Sequence, residues 1–343
     1  MPQIIFSCRE ESSQLAWSEL QRGGWGLSLE SWLQKGVGLA SCPQDFAALA
    51  PAIQASRLLF VQHIFPVDTV ITNYLAPEGS ELLDKALDSF ALRMSKTAPF
   101  AIQLRRAIGL NDSYQGELRT LLQLYFIGNG FSHHTRYPEQ IISGYVTSTS
   151  LYLGLSLASQ NLSSWNGGHV AYALRPDTIS RSEFKLLEAI ECFQLSLPTQ
   201  GVALDLGAAP GGWTKILLER GLKVLAVDPG ALDPRIKAHP QVSHYAMTTQ
   251  QFLRTYRSTP VNLLVNDMRM DIIPSVELVN AAASLLAPDS LLIMTFKLPG
   301  SKPFAAIHQG LSLLQQEYSL AHQRQLFHNR QEVTIVAIKS PGR

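Results

Sequence analysis

The stretch "LDLGAAPGGWT", residues 204–214, decides how the second half of this chain is read. An apolar run ends around Asp205, small residues follow, and a helical pattern opens near Gly211. A strand–turn–helix of this kind sets its turn at the carboxyl edge of a parallel sheet, where open α/β sheets bind ligands. Glycine there lets the backbone approach a ligand closely.

Working outward, strand and helix patterns alternate. Strands are expected over 201–209, 222–230, 261–268, 290–298 and 332–339, and helices over 182–193, 211–221, 248–256, 276–287 and 304–317. This alternation predicts a Rossmann-like, doubly wound parallel α/β sheet covered on both faces. The first half mixes strands (2–8, 57–65, 100–109, 142–156) with helices (13–24, 81–95, 114–130) and lacks strict alternation, which predicts an α+β region. The segment 163–182, with Gly167, Gly168 and Pro176, reads as a connection. A boundary between two regions is therefore expected near residue 170.

The 343 residues, 46% apolar and 16% charged, suit two or three globular domains. Cys8, Cys42 and Cys192 are odd in number and far apart, fitting neither a disulfide framework nor a zinc spacing. No apolar run reaches about 18 residues, and the first residues lack the pattern of a signal peptide. The expectation is a cytoplasmic protein without membrane association, and no obligate protein partner is implied. The net charge of +1 hides a gradient. Residues 1–92 hold five Lys/Arg against ten Asp/Glu. Residues 93–136 hold Arg93, Lys96, Arg105, Arg106, Arg119 and Arg136 against Asp112 and Glu117. A basic stretch suits a phosphate backbone, and Arg105 and Arg106 are its candidate RNA contacts. The competing reading is a solvated face.

The loop Gly207-Ala208-Ala209-Pro210-Gly211-Gly212 does not match the GxGxxG that seats a pyrophosphate. Pro210 also removes a backbone donor. Asp228, 23 residues after Asp205, ends the second strand and can accept both hydroxyls of an adenosine ribose. A ribose carboxylate without the phosphate fingerprint suits S-adenosylmethionine better than a dinucleotide, which disfavours a dehydrogenase. The expected cofactor contacts are Asp205, Gly207, Ala208, Pro210, Gly211, Gly212, Trp213, Asp228 and Asp267.

Four ionisable residues interrupt apolar patterns. Asp267 ends "VNLLVND", Lys297 ends "LLIMTFK", Glu332 begins "EVTIVAIK", and Lys185 lies in "SRSEFKLLEAIE". Singly, each reads as a snorkelling lysine or a turn-capping carboxylate. Together they belong to the functional rim of a doubly wound sheet. Methyl transfer to a hydroxyl needs in-line placement and removal of one proton. A lysine can take that proton only if its pKa falls from about 10.4. Burial and a second cation lower it, whereas a carboxylate raises it and fixes its direction. The expected roles are Lys297 as base, Asp267 as its orienting partner, and Lys185 and Glu332 as positioning groups. No metal is expected, because no His/Asp/Glu cluster shows ligand spacing, and the adjacent His133 and His134 point differently on a regular element.

The phrase Pro-Gly-Gly-Trp within "DLGAAPGGWT" resembles the cofactor loop of the FtsJ-like S-adenosylmethionine-dependent RNA ribose 2′-O-methyltransferases. "RSEFKL", "VNDM", "TFKLPG" and "RQEVTIVA" resemble that family's Lys-Asp-Lys-Glu motifs, carried here by Lys185, Asp267, Lys297 and Glu332. The resemblance covers residues 180–340 and implies a class I methyltransferase domain. "SRSEFKLLEA", "VDPG", "FKLP" and "LFHNRQEVT" further resemble the RlmM-type enzymes, which methylate a cytidine of 23S rRNA. That resemblance implies a ferredoxin-like region (1–56) and a THUMP RNA-binding domain (57–170) ahead of the methyltransferase domain (171–343). "SHYAMTTQQF" lacks the acidic residue that often meets adenine, leaving backbone groups around Met247 and Thr248 as candidates. The alternatives are methylation of tRNA or another hydroxyl-bearing substrate, and a non-catalytic RNA-binding protein that keeps the cofactor pocket.

Overall fold

The computed structural model describes residues 1–135, 137–163, 165–170, 172–257 and 260–341; Arg136 of the basic stretch lies outside the described residues. The chain divides into two compact units, Met1–Val170 and Ala171–Arg343.

The first unit opens with β1 (Gln3–Ser7), α1 (Ser13–Arg22), β2 (Ser28–Gln34), β3 (Val37–Ser41), α2 (Phe46–Ala55) and β4 (His63–Val67). The antiparallel sheet order β2-β3-β1-β4 gives the βαββαβ, ferredoxin-like pattern. This sheet corrects the expected boundary at residue 56, because its fourth strand runs to Val67. The strand expected from residue 57 starts only at His63. Before it, the backbone N–H groups of Leu59, Phe60 and Val61 donate to the Glu19 carboxylate instead of a ladder.

A second sheet follows, from β5 (Thr69–Thr72), α3 (Pro77–Arg93), β6 (Phe100–Arg106), α4 (Asp112–Gly128), β7 (Gln140–Val146) and β8 (Ser150–Leu157). Its order is β5-β8-β7-β6, with β6 and β7 parallel. The single strand expected over 142–156 is in fact the β7–β8 hairpin. Thr147 closes the turn, its hydroxyl accepting the Ser150 N–H at 2.9 Å. β-Branched turn residues hid this break, since threonine also favours strands.

The second unit comprises α5 (Ser182–Cys192), β9 (Val202–Leu206), α6 (Gly212–Leu218), β10 (Lys223–Val227), α7 (Pro234–Lys237), β11 (Val242–Tyr245), α8 (Thr249–Thr255), β12 (Val261–Asn266), α9 (Ile272–Ala282), β13 (Leu286–Lys297), α10 (Pro303–Leu314), β14 (Tyr318–Arg324) and β15 (Glu332–Lys339). The seven strands lie in the order β11-β10-β9-β12-β13-β15-β14. This is the expected Rossmann-like, doubly wound sheet, with one correction to its direction. β15 runs antiparallel to both β13 and β14, so the sheet is not wholly parallel. β14, "YSLAHQR", was not expected, because an edge strand with polar alternation shows no apolar run. The reversal matters for the site. β15 begins at the edge where the parallel strands end, and Glu332 pairs in register with Lys297.

The central strands are nearly continuous buried apolar runs, among them Leu204, Leu206, Leu263, Leu264, Val265, Ile293 and Val336. Each such side chain contributes roughly 1.5–3 kcal/mol on burial. That rigid slab holds the ends of β9, β10, β12 and β13 in fixed relation.

Candidate active site

β12 and β13 are parallel neighbours, so Asp267, directly after β12, and Lys297, at the end of β13, emerge at the same edge. Buried Asn266 shapes the turn that presents Asp267: its side chain bonds Ser275 Oγ and accepts the Met268 N–H, each at 3.0 Å. Glu332 arrives from β15, and Lys185 reaches in from the first turns of α5. The structure thus brings together all four ionisable residues singled out in the sequence.

They form a closed ring of alternating sign. Lys297 Nζ lies 2.6 Å from Asp267 Oδ1 and also donates to Glu332 Oε2. Lys185 Nζ lies 3.1 Å from Asp267 Oδ2 and 2.5 Å from Glu332 Oε1. Each cation meets both anions. Burial disfavours charge on Lys185, but Asp267 and Glu332 outweigh it and hold its pKa above the ordinary lysine value. Burial likewise pushes Asp267 up, but Lys297 and Lys185 outweigh it and hold the carboxyl below its usual range.

Sequence reasoning missed a fifth member. Thr295 Oγ1 donates to Asp267 Oδ1 at 2.8 Å and accepts from Lys297 Nζ at 2.8 Å. The signal was present, because residues two apart on a strand share a face.

α5 is fixed by partners that the sequence reading had not identified. Glu183 accepts the N–H groups of Ile179 and Ser180 at 2.5 and 3.2 Å. Glu188, 1% exposed, accepts the N–H groups of Phe327 and His328 at 2.7 and 2.8 Å, and His328 Nδ1 lies 2.8 Å from Oε2. Phe327 and His328 lie in the connection that delivers Glu332, so one helix positions both Lys185 and the approach to Glu332.

The glycine loop follows β9, but its residues divide in role. Gly207 has φ +76°, and a Cβ there would meet Met268 Cγ at 2.7 Å. Gly211 has φ +114° and packs toward Ile236, while a Cβ on Gly212 would fall 2.3 Å from Ser180 Oγ. Gly211 and Gly212 therefore allow close chain-on-chain packing. The Trp213 ring is 3% exposed within the core, and its Nε1 donates to Ser182 O at 2.8 Å, tying α6 to α5. Ala208 is buried and Pro210 exposed.

Asp205 is buried, and the Thr214 hydroxyl donates to its Oδ2 at 2.6 Å. Burial above all pushes its pKa up to about 7, with Asp267 and Asp228 adding to the effect and Thr214 opposing it. Asp228 accepts the N–H groups of Ala209 and Gly230 at 3.1 and 2.6 Å. Three carboxylates at neighbouring strand ends thus feel one another, a setting that suits a cationic ligand and repels a pyrophosphate. The N–H groups of Met247 and Thr248 are already engaged, by Tyr245 O and Gln251 Oε1.

In the first unit, Arg105 is withdrawn beside Tyr145 and Cys8, and burial lowers its pKa from the ordinary arginine value. Arg106 donates to the Leu110 carbonyl. Among the described residues no group of three or more His, Cys, Asp or Glu is placed to share a metal ion, and no helix is long and apolar enough to cross a membrane.

Residues 178–301 match the FtsJ-like methyltransferase family. The chain is similar to proteins described as ribosomal RNA large subunit methyltransferase M. That of Halorhodospira halophila is 34% identical over 188 residues, 52% of each chain. That of Laribacter hongkongensis is 35% identical over 190 residues, 50% of this chain and 51% of the relative. That of Tolumonas auensis is 30% identical over 285 residues, 76% of this chain and 69% of the relative. The chain spans about half the length of the first two relatives.

Proposed function

This chain belongs to the family of the ribosomal RNA large subunit methyltransferases M, and from that premise we propose that it transfers a methyl group from S-adenosylmethionine to a ribose 2′-hydroxyl of 23S rRNA, at a cytidine. The observation that carries the reading is the closed Lys185–Asp267–Lys297–Glu332 ring at the edge that also bears the glycine loop. The reading places the protein in the cytoplasm, where ribosomal RNA is modified.

The residues present fit the cofactor. Asp228 and Asp267 supply acceptors for a molecule with a sulfonium and an ammonium, Asp205 lies buried beside them, and Asp228 keeps acceptor capacity for ribose hydroxyls. Bound there, S-adenosylmethionine supplies an electrophilic methyl carbon. The chain's own work is then positional and acid–base. Lys297, once it has given up its own proton, would take the proton of the 2′-hydroxyl at Nζ. Asp267 and Thr295 aim its Nζ, and Glu332 completes the aim from β15. Lys185 stays an ammonium beside the two carboxylates. No metal is required for these steps. In the first unit, a ferredoxin-like part ending at Val67 and a THUMP-like part from Asp68 to Val170 would hold RNA.

Transfer of labelled methyl from S-adenosylmethionine to 23S rRNA, with the nucleotide mapped by mass spectrometry, tests this. Lys297→Ala should lower turnover by about 10²–10⁴-fold while calorimetry shows cofactor binding intact. Full turnover by Lys297→Ala would remove the assigned base. Label appearing on tRNA alone would change the substrate. Cofactor and RNA binding without transfer would leave a non-catalytic binder.

A further inference from the structure

Each ring residue lies on or beside a connection at one edge of the sheet, and each of those connections brings a further cation. Arg181 stands four residues before Lys185, Arg269 two after Asp267, Lys302 five after Lys297, and Arg330 two before Glu332. All four are exposed. None forms an ion pair among the described residues. Elsewhere in the unit, Lys215, Arg235 and Lys339 each lie within 4 Å of a carboxylate. An extended chain spans at most about 3.6 Å per residue, so the Cα atoms of Arg269 and Arg330 lie within about 7 Å of those of Asp267 and Glu332.

Little in the chain neutralises these cations. Their segments carry two exposed carboxylates, Asp271 and Asp177, and Asp177 is ion-paired with Lys215; Glu183 is buried and also ion-paired with Lys215. Lys302 also holds a left-handed backbone, φ +49°, a conformation unfavourable for a non-glycine residue. It stands at the start of α10, a twelve-residue helix without a side-chain cap, whose positive end faces the same way. The ring itself is neutral as a whole, so the uncompensated charge at this edge belongs to these four residues.

We infer that Arg181, Arg269, Lys302 and Arg330 form a phosphate-binding collar that grips the RNA strand on either side of the reacting ribose. The inference rests on the proposed methyl transfer for what that strand undergoes, and it moves the principal phosphate contacts from Arg105 and Arg106 to the second unit. Base recognition is not its task, since phosphate contacts position a strand without reading sequence.

The test uses the full chain and an unmodified 23S rRNA transcript. Binding is measured against salt for the wild type and for the variant carrying Arg181→Gln, Arg269→Gln, Lys302→Gln and Arg330→Gln. The slope of log affinity against log salt should shrink by about 0.7 for each cation removed, and KM for RNA should rise tenfold or more. Affinity for S-adenosylmethionine and the melting temperature should stay unchanged. A Lys223→Gln/Arg254→Gln variant removes exposed cations away from these connections and should behave as wild type. A collar variant with an undiminished salt slope overturns the proposal, even if methyl transfer is confirmed. A reduced slope without any methyl transfer keeps the collar and removes the reaction instead. A wild type that binds no RNA removes both.

Discussion

Thr295 shows how much one hydroxyl can organise. It sits between Asp267 and Lys297 and bonds both, so the carboxylate cannot swing without disturbing the amine. Thr295→Val keeps the shape and removes the bridge. A hydrogen bond to a charged group is worth about 1.5–3 kcal/mol, so turnover should fall roughly ten- to a hundredfold, with Thr295→Ser restoring most of it. Unchanged turnover in the valine variant would make Thr295 a bystander. Asp205 supports a prediction about pH. An unfolded aspartate ionises near pH ~3.9, whereas Asp205 in the folded chain keeps its proton up to about 7. Between those values the folded state binds more protons, so stability falls as pH rises through that window and the penalty is constant above it. Asp205→Asn does not titrate. Its advantage in melting temperature over the native, ligand-free chain should grow from pH 4 to 7 and then level off. A pH-independent difference would contradict the assignment.

At the scale of elements, α5 links the two halves of the ring. Glu188 holds the backbone of Phe327 and His328, ahead of Glu332, three residues along from Lys185. Glu188→Ala leaves those donors without their carboxylate, at about 1–3 kcal/mol each. Thermal or urea unfolding should register that loss, and turnover should fall further than stability explains because Glu332 loses its approach. A variant that loses stability but keeps kcat would confine Glu188 to a structural role. The elements legible in the sequence were those with strong apolar periodicity, such as β9, β12, β13 and α3. Those that were not had physical reasons to hide. β2 and β14 are edge strands with polar faces, α2 contains Pro51, and the β7–β8 turn is built from threonine and serine. The ring was legible because ionised side chains at the ends of apolar strands are conspicuous. Thr295 was not, because a threonine suits any strand.

For the whole molecule, the division at Val170 separates tasks. All four ring residues, the glycine loop and Asp228 lie in the second unit, which has its own buried core around Leu217, Val224, Leu263 and Ile293. The first unit holds a separate core around Phe90, Phe100, Leu122 and Phe126. Residues 172–343 alone should therefore fold cooperatively and bind S-adenosylmethionine with an affinity close to that of the full chain by calorimetry. Their methyl transfer to 23S rRNA should be weaker, through a raised KM. Loss of cofactor binding in that fragment would mean that the first unit completes the pocket.

The alternating order of the ring also sets the reach of its field. Two positive and two negative charges placed corner to corner have no monopole, and such a quadrupole fades far faster with distance than a single charge does. A polyanion drifting past at 15 or 20 Å, already beyond the Debye length of about 8 Å at physiological salt, is all but blind to the four groups. They act only on an atom delivered into their midst. Long-range capture and short-range contact are thereby uncoupled, so the ring's charges can change without altering how often a polyanion is caught.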